Sequence, residues 1–202
     1  MNLDLLDLTK SADNRRCGEC TLCCTLLPVK ALAKGASERC KHQRGLGCNI
    51  YRKEGFPAEC ANWNCRWLIN DDAGDLQRPD RCHYVIDIIP DFITGIDNAS
   101  GRQYRIPVVQ IWIDPRFPDA HEDPALRAWI VRQEHFAALV RFNDRDAIFL
   151  LPPHMSDTGE WEVAGRDKTM LSEGRHHPAE VAATLRAAGL GLTLGRRRDE
   201  KG

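Results

Sequence analysis

Thiols dominate the chemistry this chain can do. Of its nine cysteines, eight lie between residues 17 and 65. Cys17, Cys20, Cys23 and Cys24 share the run CGECTLCC, and Cys40, Cys48, Cys60 and Cys65 follow. Cys82 lies a little downstream. Thiols at this density serve either disulfides or metal, and the compartment decides which. The run from Met1 to Asp7 carries early acids and no basic region ahead of an apolar one, unlike a secretory signal. No stretch approaches the roughly 18 apolar residues of a membrane span. The expectation is a cytoplasmic protein with no membrane partner, and in a reducing cytosol clustered cysteines favour metal.

The spacing sharpens this. Two residues between cysteines let a tight turn aim both sulfurs at one metal, and Cys17, Cys20 and Cys23 repeat that spacing twice. The same triplet holds iron–sulfur clusters in bacterial ferredoxins, where it continues with three residues, a fourth cysteine and a proline. Here Cys24 follows at once and no proline does, which argues against an ordinary ferredoxin. Neighbouring side chains diverge by about 100° in a helix and about 180° in a strand. Cys23 and Cys24 therefore either belong to different metals, or one of them is a bystander. Eight cysteines divide into two sets of four, the complement of two closed zinc sites. Alternatively, four hold one cluster and the rest are structural or redox-active. Plain buried cysteines do not recur at such spacing, although Cys60 and Cys65, flanking Trp63, could serve partly as core. Cys82 reads as a buried thiol at the start of a strand.

The double cysteine, then Cys40, then Gly47-Cys48-Asn49-Ile50-Tyr51, then Cys60 and Cys65 resembles the CxxCxxCC family. Its members are the YkgJ-type cysteine-cluster proteins, or zinc- or iron-chelating domains, and it takes in the flagellin lysine N-methylases. The likeness covers about residues 17–67. The Arg-Pro usual before the next cysteine is replaced by Gly55-Phe56-Pro57-Ala58-Glu59. The resemblance implies zinc or iron–sulfur binding by Cys17, Cys20, Cys23, Cys24, Cys40, Cys48, Cys60 and Cys65, and assigns no activity.

Ten cations crowd the module: Arg15, Arg16, Lys30, Lys34, Arg39, Lys41, Arg44, Arg52, Lys53 and Arg66. A zinc ion held by four thiolates carries a net charge of about −2, so nearby cations offset it and donate to sulfur. With a chain charge of −1, nucleic acid is not the expected partner; the sequence leaves room for a protein partner beside the metal ion or cluster. Trp63 and Trp67, spaced as one helical turn around Cys65, are expected to shield metal from water or to serve as core. His42 and His83 each lie near a cysteine and offer a substitute ligand, with eight thiols ahead of them. His121, His135, His154 and the surface pair His176-His177 carry no assigned role. No nucleophile elbow, phosphate loop or dinucleotide fingerprint stands in its proper context.

The elements that must position these thiols are short. Residues 1–69 form the cysteine-rich metal module, led by an amphipathic stretch over residues 1–16, and a module of this kind folds around its metal. Residues 70–80 carry turn chemistry. Residues 82–194 read as an α+β domain. Strands are expected over 83–89, 92–97 and 103–113, with a hairpin turn at Asn98–Gly101 and Pro107 marking an edge or bulge. A helix is expected from the Asp123 cap and Pro124 to about His135, then a hairpin over 138–142 and 147–151 and a short strand at 161–163. Pro178 opens a last helix ending at Gly189, and 195–202 read as a disordered tail. The fold class is α+β: an antiparallel sheet with one or two helices and the module at its N-terminal end.

Three readings of function follow. The first is a cytoplasmic metal-binding protein. The second is a cluster-dependent redox or protein-modifying enzyme, resembling the lysine methylases. The third is a zinc-stabilised interaction module, which calls for an exposed apolar patch near Trp112 or Trp129.

Overall fold

The computed structural model describes residues 15–87, 91–96, 103–133, 136–167 and 192–195. Most of the amphipathic lead-in, the Asn98–Gly101 turn, the helix expected from Pro178 to Gly189 and all of the tail beyond Gly195 lie outside the described residues.

The module is built from small pieces: α1 (Leu22–Leu26), a hairpin of β1 (Gln43–Arg44) and β2 (Gly47–Cys48), α2 (Ala58–Asn62) and α3 (Arg66–Ile69). None is long enough to hold itself together in water. A further short helix, α4 (Pro79–Cys82), ends the connector and leads through His83, in left-handed backbone (φ 63°), into the sheet. Cys82 closes this helix rather than opening a strand, and its thiol donates to the Gln77 carbonyl at 3.4 Å.

Among the described residues, seven strands make the main sheet: β3 (Tyr84–Ile86), β4 (Asp91–Ile96), β5 (Gln103–Ile113), β6 (Ala137–Arg141), β7 (Ala147–Leu151), β8 (Glu162–Asp167) and β9 (Leu192–Gly195). The order is β8-β7-β6-β5-β4-β9, with β3 pairing β5. Strands β3 and β4 lie end to end along one edge of the long β5, at Ile111–Ile113 and Gln103–Val108 respectively. Strand β9 has no counterpart in the sequence reading, and it takes Gly195 out of the expected tail by pairing it with Phe92.

The sheet is mixed, not antiparallel. Strands β5 and β6 run parallel, from Val108↔Ala137 to Trp112↔Arg141. The cause is the chain between them, which carries α5 (Pro124–Arg132). A tight turn can only return a strand antiparallel, whereas a crossover this long, with a helix in it, brings the chain back in the same direction. The Asp123 cap is as expected: its Oδ1 accepts the Ala125 amide at 3.0 Å. Pro107 sits inside β5, one residue before the pairing with β6 begins, so its missing N–H costs no bond to that neighbour.

Alternation along the strands sorts two cores. Tyr84, Ile86, Val109, Ile111 and Ile113 point to one face, where Leu126, Trp129 and Ile130 of α5 cover them. Val85 and Trp112, partners in register, point to the other. There they meet Leu22, Leu26, Cys65 and Leu68 of the module. The cysteine module and α5 thus cover opposite faces of β3 and β5. Trp112 and Trp129 are both buried, so neither provides the exposed patch that an interaction module called for.

Candidate metal centre

Gly18 begins the site. In left-handed backbone (φ 52°), it lets the chain turn so that the Cys20 amide donates to the Cys17 carbonyl at 2.8 Å. A Cβ there would stand 3.1 Å from Arg78 Nη1. Helix α1 then carries Cys23 and Cys24 on successive positions, so the two point about 100° apart. Cys23 turns toward the sheet, where it packs with Cys20 and Cys65 on the Val85–Trp112 cluster. Cys24 turns toward the chain that carries Cys40, whose amide donates to the Cys24 carbonyl at 3.3 Å.

Cys65 arrives from far along the chain. It immediately precedes α3, pairs as an isolated bridge with Asp87 beyond β3, and is buried. Trp63 Nε1 donates to Asp87 Oδ1 at 3.0 Å, a second tie to the same residue. Cys17, Cys20, Cys23 and Cys65 line one small cavity together with Trp67, Arg78, Pro79 and Val85. Arg78, held by Asp80 at 2.5 Å, and Pro79 come from the connector, where no sequence signal marked them.

The other four thiols gather on a different side of α1. The β1–β2 hairpin sets Cys48 opposite Gln43. Gln43 is buried and donates to Thr21 Oγ1 at 2.6 Å, so the hairpin is fastened to the start of α1. Glu59 Oε2 accepts the Ala31 amide at 3.1 Å, which ties α2 and its Cys60 to the Lys30–Leu32 turn. Cys60 lies within electrostatic reach of Cys24, Cys40 and Cys48. Lys34 is buried behind them and within reach of Cys24 and Cys40.

Protons on these sulfurs follow their surroundings. Burial pushes the Cys65 thiol up to about 12 and that of Cys60 up to about 11. It also raises Cys17 and Cys20. Cys23 donates a hydrogen bond to Cys24, which pushes Cys23 well up and, with Lys34 beside it, brings Cys24 down to about 7. The two neighbourhoods touch here, and Cys17 also feels Cys24. Among the described residues, no three His, Cys, Asp or Glu side chains stand in metal-holding geometry. The donors nevertheless suit zinc or an iron–sulfur cluster in type and number: four soft sulfur ligands lining one cavity.

The neighbours divide by role. Trp67 lines the cavity and donates to the Leu76 carbonyl at 3.0 Å. Trp63 lies in the break between α2 and α3, so the two tryptophans do not share a helical turn. His83 stacks on Phe117, ring centroids 3.5 Å apart, and is not among the cavity-lining residues. Among the cations, Arg15 donates to the Trp67 and Asn70 carbonyls at 2.5 and 2.8 Å, capping the end of α3. Arg66 lies over the Trp129 ring at 5.1 Å.

Comparison of the chain with protein-family models, curated proteins and solved structures finds no match. Among the described residues, no helix is long and apolar enough to cross a membrane.

Proposed function

We propose that this is a metal-binding protein whose eight clustered cysteines hold zinc or an iron–sulfur cluster. One observation carries the reading. Cys17, Cys20 and Cys23 meet Cys65, more than forty residues away, around a single cavity. Buried thiols that merely fill space have no reason to converge in this way, and thiols in a reducing compartment do so to share a metal. The resemblance of residues 17–67 to the CxxCxxCC family points the same way, and a reducing cytoplasm, where clustered thiols stay free for metal, is the proposed site of action. A bound zinc would hold the short elements together; a cluster would add electron transfer. The chain's own residues supply the thiolates, the cations beside them and the tryptophan that limits water.

Elemental analysis and a visible spectrum of anaerobically purified protein test this. Bound zinc, or a broad band near about 400 nm with roughly four iron and four sulfide per chain, supports the proposal. Protein free of both, and unable to take up either after reduction, overturns it.

A further inference from the structure

We propose that the eight cysteines form two separate four-thiolate sites. The inner site comprises Cys17, Cys20, Cys23 and Cys65, at the seam between module and sheet. The outer site comprises Cys24, Cys40, Cys48 and Cys60, with Lys34 as its buried counter-charge. This rests on the metal-binding reading above and says how the ligands are shared.

The division follows from where the backbone sends each sulfur. Cys23 and Cys24 are consecutive on α1 and leave the helix about 100° apart; they meet in the hydrogen bond between their thiols, so the two sets adjoin there. Cys23 joins the apolar cluster that includes Cys20, Cys65, Val85 and Trp112, and with Cys17 these cysteines line one cavity. None of Cys24, Cys40, Cys48 and Cys60 lines it or belongs to that cluster. Instead the Cys40 amide donates to the Cys24 carbonyl, and Cys60 lies within electrostatic reach of Cys24, Cys40 and Cys48.

The two sites differ in what surrounds them. The inner one is walled by Trp67, Pro79 and Val85 and takes in the buried Cys65, while its Cys17 is exposed. The four thiols of the outer one are all partly exposed. Through Cys65 and Val85 the inner site fastens the module to the sheet.

The test uses reduced, metal-free protein titrated with zinc alone and read by native mass spectrometry. The wild type is expected to take two ions. Cys48→Ser and the double variant Cys48→Ser/Cys60→Ser are each expected to keep one, since both lesions fall in one site. Cys20→Ser/Cys48→Ser is expected to keep none. Saturation of the wild type at one ion, or loss of both from Cys48→Ser/Cys60→Ser, overturns the division while leaving metal binding intact. A wild type that binds none overturns the metal reading itself. Cadmium NMR of the wild type needs no variant to fold. Two resonances without cadmium–cadmium coupling support separate sites, and coupling through a shared sulfur overturns them.

Discussion

Lys34 donates to the carbonyls of Thr25 at 3.2 Å, of Gly35 at 3.1 Å and of Leu27. Its three ammonium donors are all committed to backbone, and only 7 % of the residue is exposed. Burial works to lower its pKa, while Cys40, Glu38 and Cys24 work to raise it. The positive charge is thus held in a fixed place beside two thiols. Lys34→Met should strand three partly buried carbonyls and remove that charge. The expected cost is about 2 kcal/mol of stability by urea denaturation. Zinc affinity at the neighbouring thiols is expected to drop by about tenfold to a hundredfold in a chelator competition. Arginine should not restore either, because its planar fork cannot meet three carbonyls arranged around a point. Unchanged zinc affinity in Lys34→Met would show that the charge is irrelevant to the sulfurs. In sequence, Lys34 was one of ten cations with a shared electrostatic role. The structure separates them: Arg15 caps a helix, Arg66 stacks on an indole, and Lys34 alone of these three stands buried against thiols. Nothing local to a lysine foretells which kind it is. The divergence of Cys23 and Cys24, by contrast, was legible, because it follows from backbone geometry alone.

Among the elements, α5 was the most legible, since an acidic cap, a proline at the first position and apolar residues at helical spacing are all local signals. The pairing of strands was legible only where a tight turn sets it, as between β6 and β7. The parallel pairing of β5 with β6, the end-to-end placement of β3 and β4, and β9 are decided by contacts between distant segments. The α5 cap has a second duty. Asp123 Oδ1 accepts the Ala125 amide, and its Oδ2 accepts the hydroxyl of buried Tyr84 at 2.9 Å. Asp123→Ala should remove the cap and strand that hydroxyl, costing about 2 to 4 kcal/mol in chemical denaturation. Asp123→Asn keeps an acceptor for the amide and should recover about half the loss. Equal losses in the two variants would mean that the cap contributes little, and that the Tyr84 contact carries the effect.

Across the whole molecule, the sheet has two coverings of unequal self-sufficiency. Helix α5 buries Leu126, Trp129 and Ile130 against many strand residues. The module offers Leu22, Leu26, Cys65 and Leu68 against Val85 and Trp112, with elements of two to five residues. On the metal-binding reading proposed above, most of its folding energy comes from bound metal, and pH then acts differently with and without it. In metal-free protein, the unfolded thiols ionise near 9, while burial holds Cys60 to about 11 and Cys65 to about 12. A thiol raised on folding favours the fold while both states are protonated, and that advantage is lost as pH climbs from about 9 toward 12. Cys24, lowered to about 7, acts the other way, but through a bond from Cys23 that moves upward as it does so. Metal-free stability should therefore fall above about pH 9. With zinc bound the sulfurs are thiolates, and protons compete with the metal, so stability should fall as pH drops below about 7 and rise toward 9. Urea denaturation of both forms from about pH 5 to 12, with hydrogen exchange to separate module from sheet, should show the zinc form weakening at the acid end and the metal-free form at the alkaline end. The changes should be concentrated in residues 17–69, while α5 and the strands under it stay protected. A zinc form that keeps its stability below about pH 7 would mean that the thiols do not exchange protons for metal. Equal loss of protection in α5 would mean that the two faces of the sheet fold as one unit, independent of what the sulfurs hold.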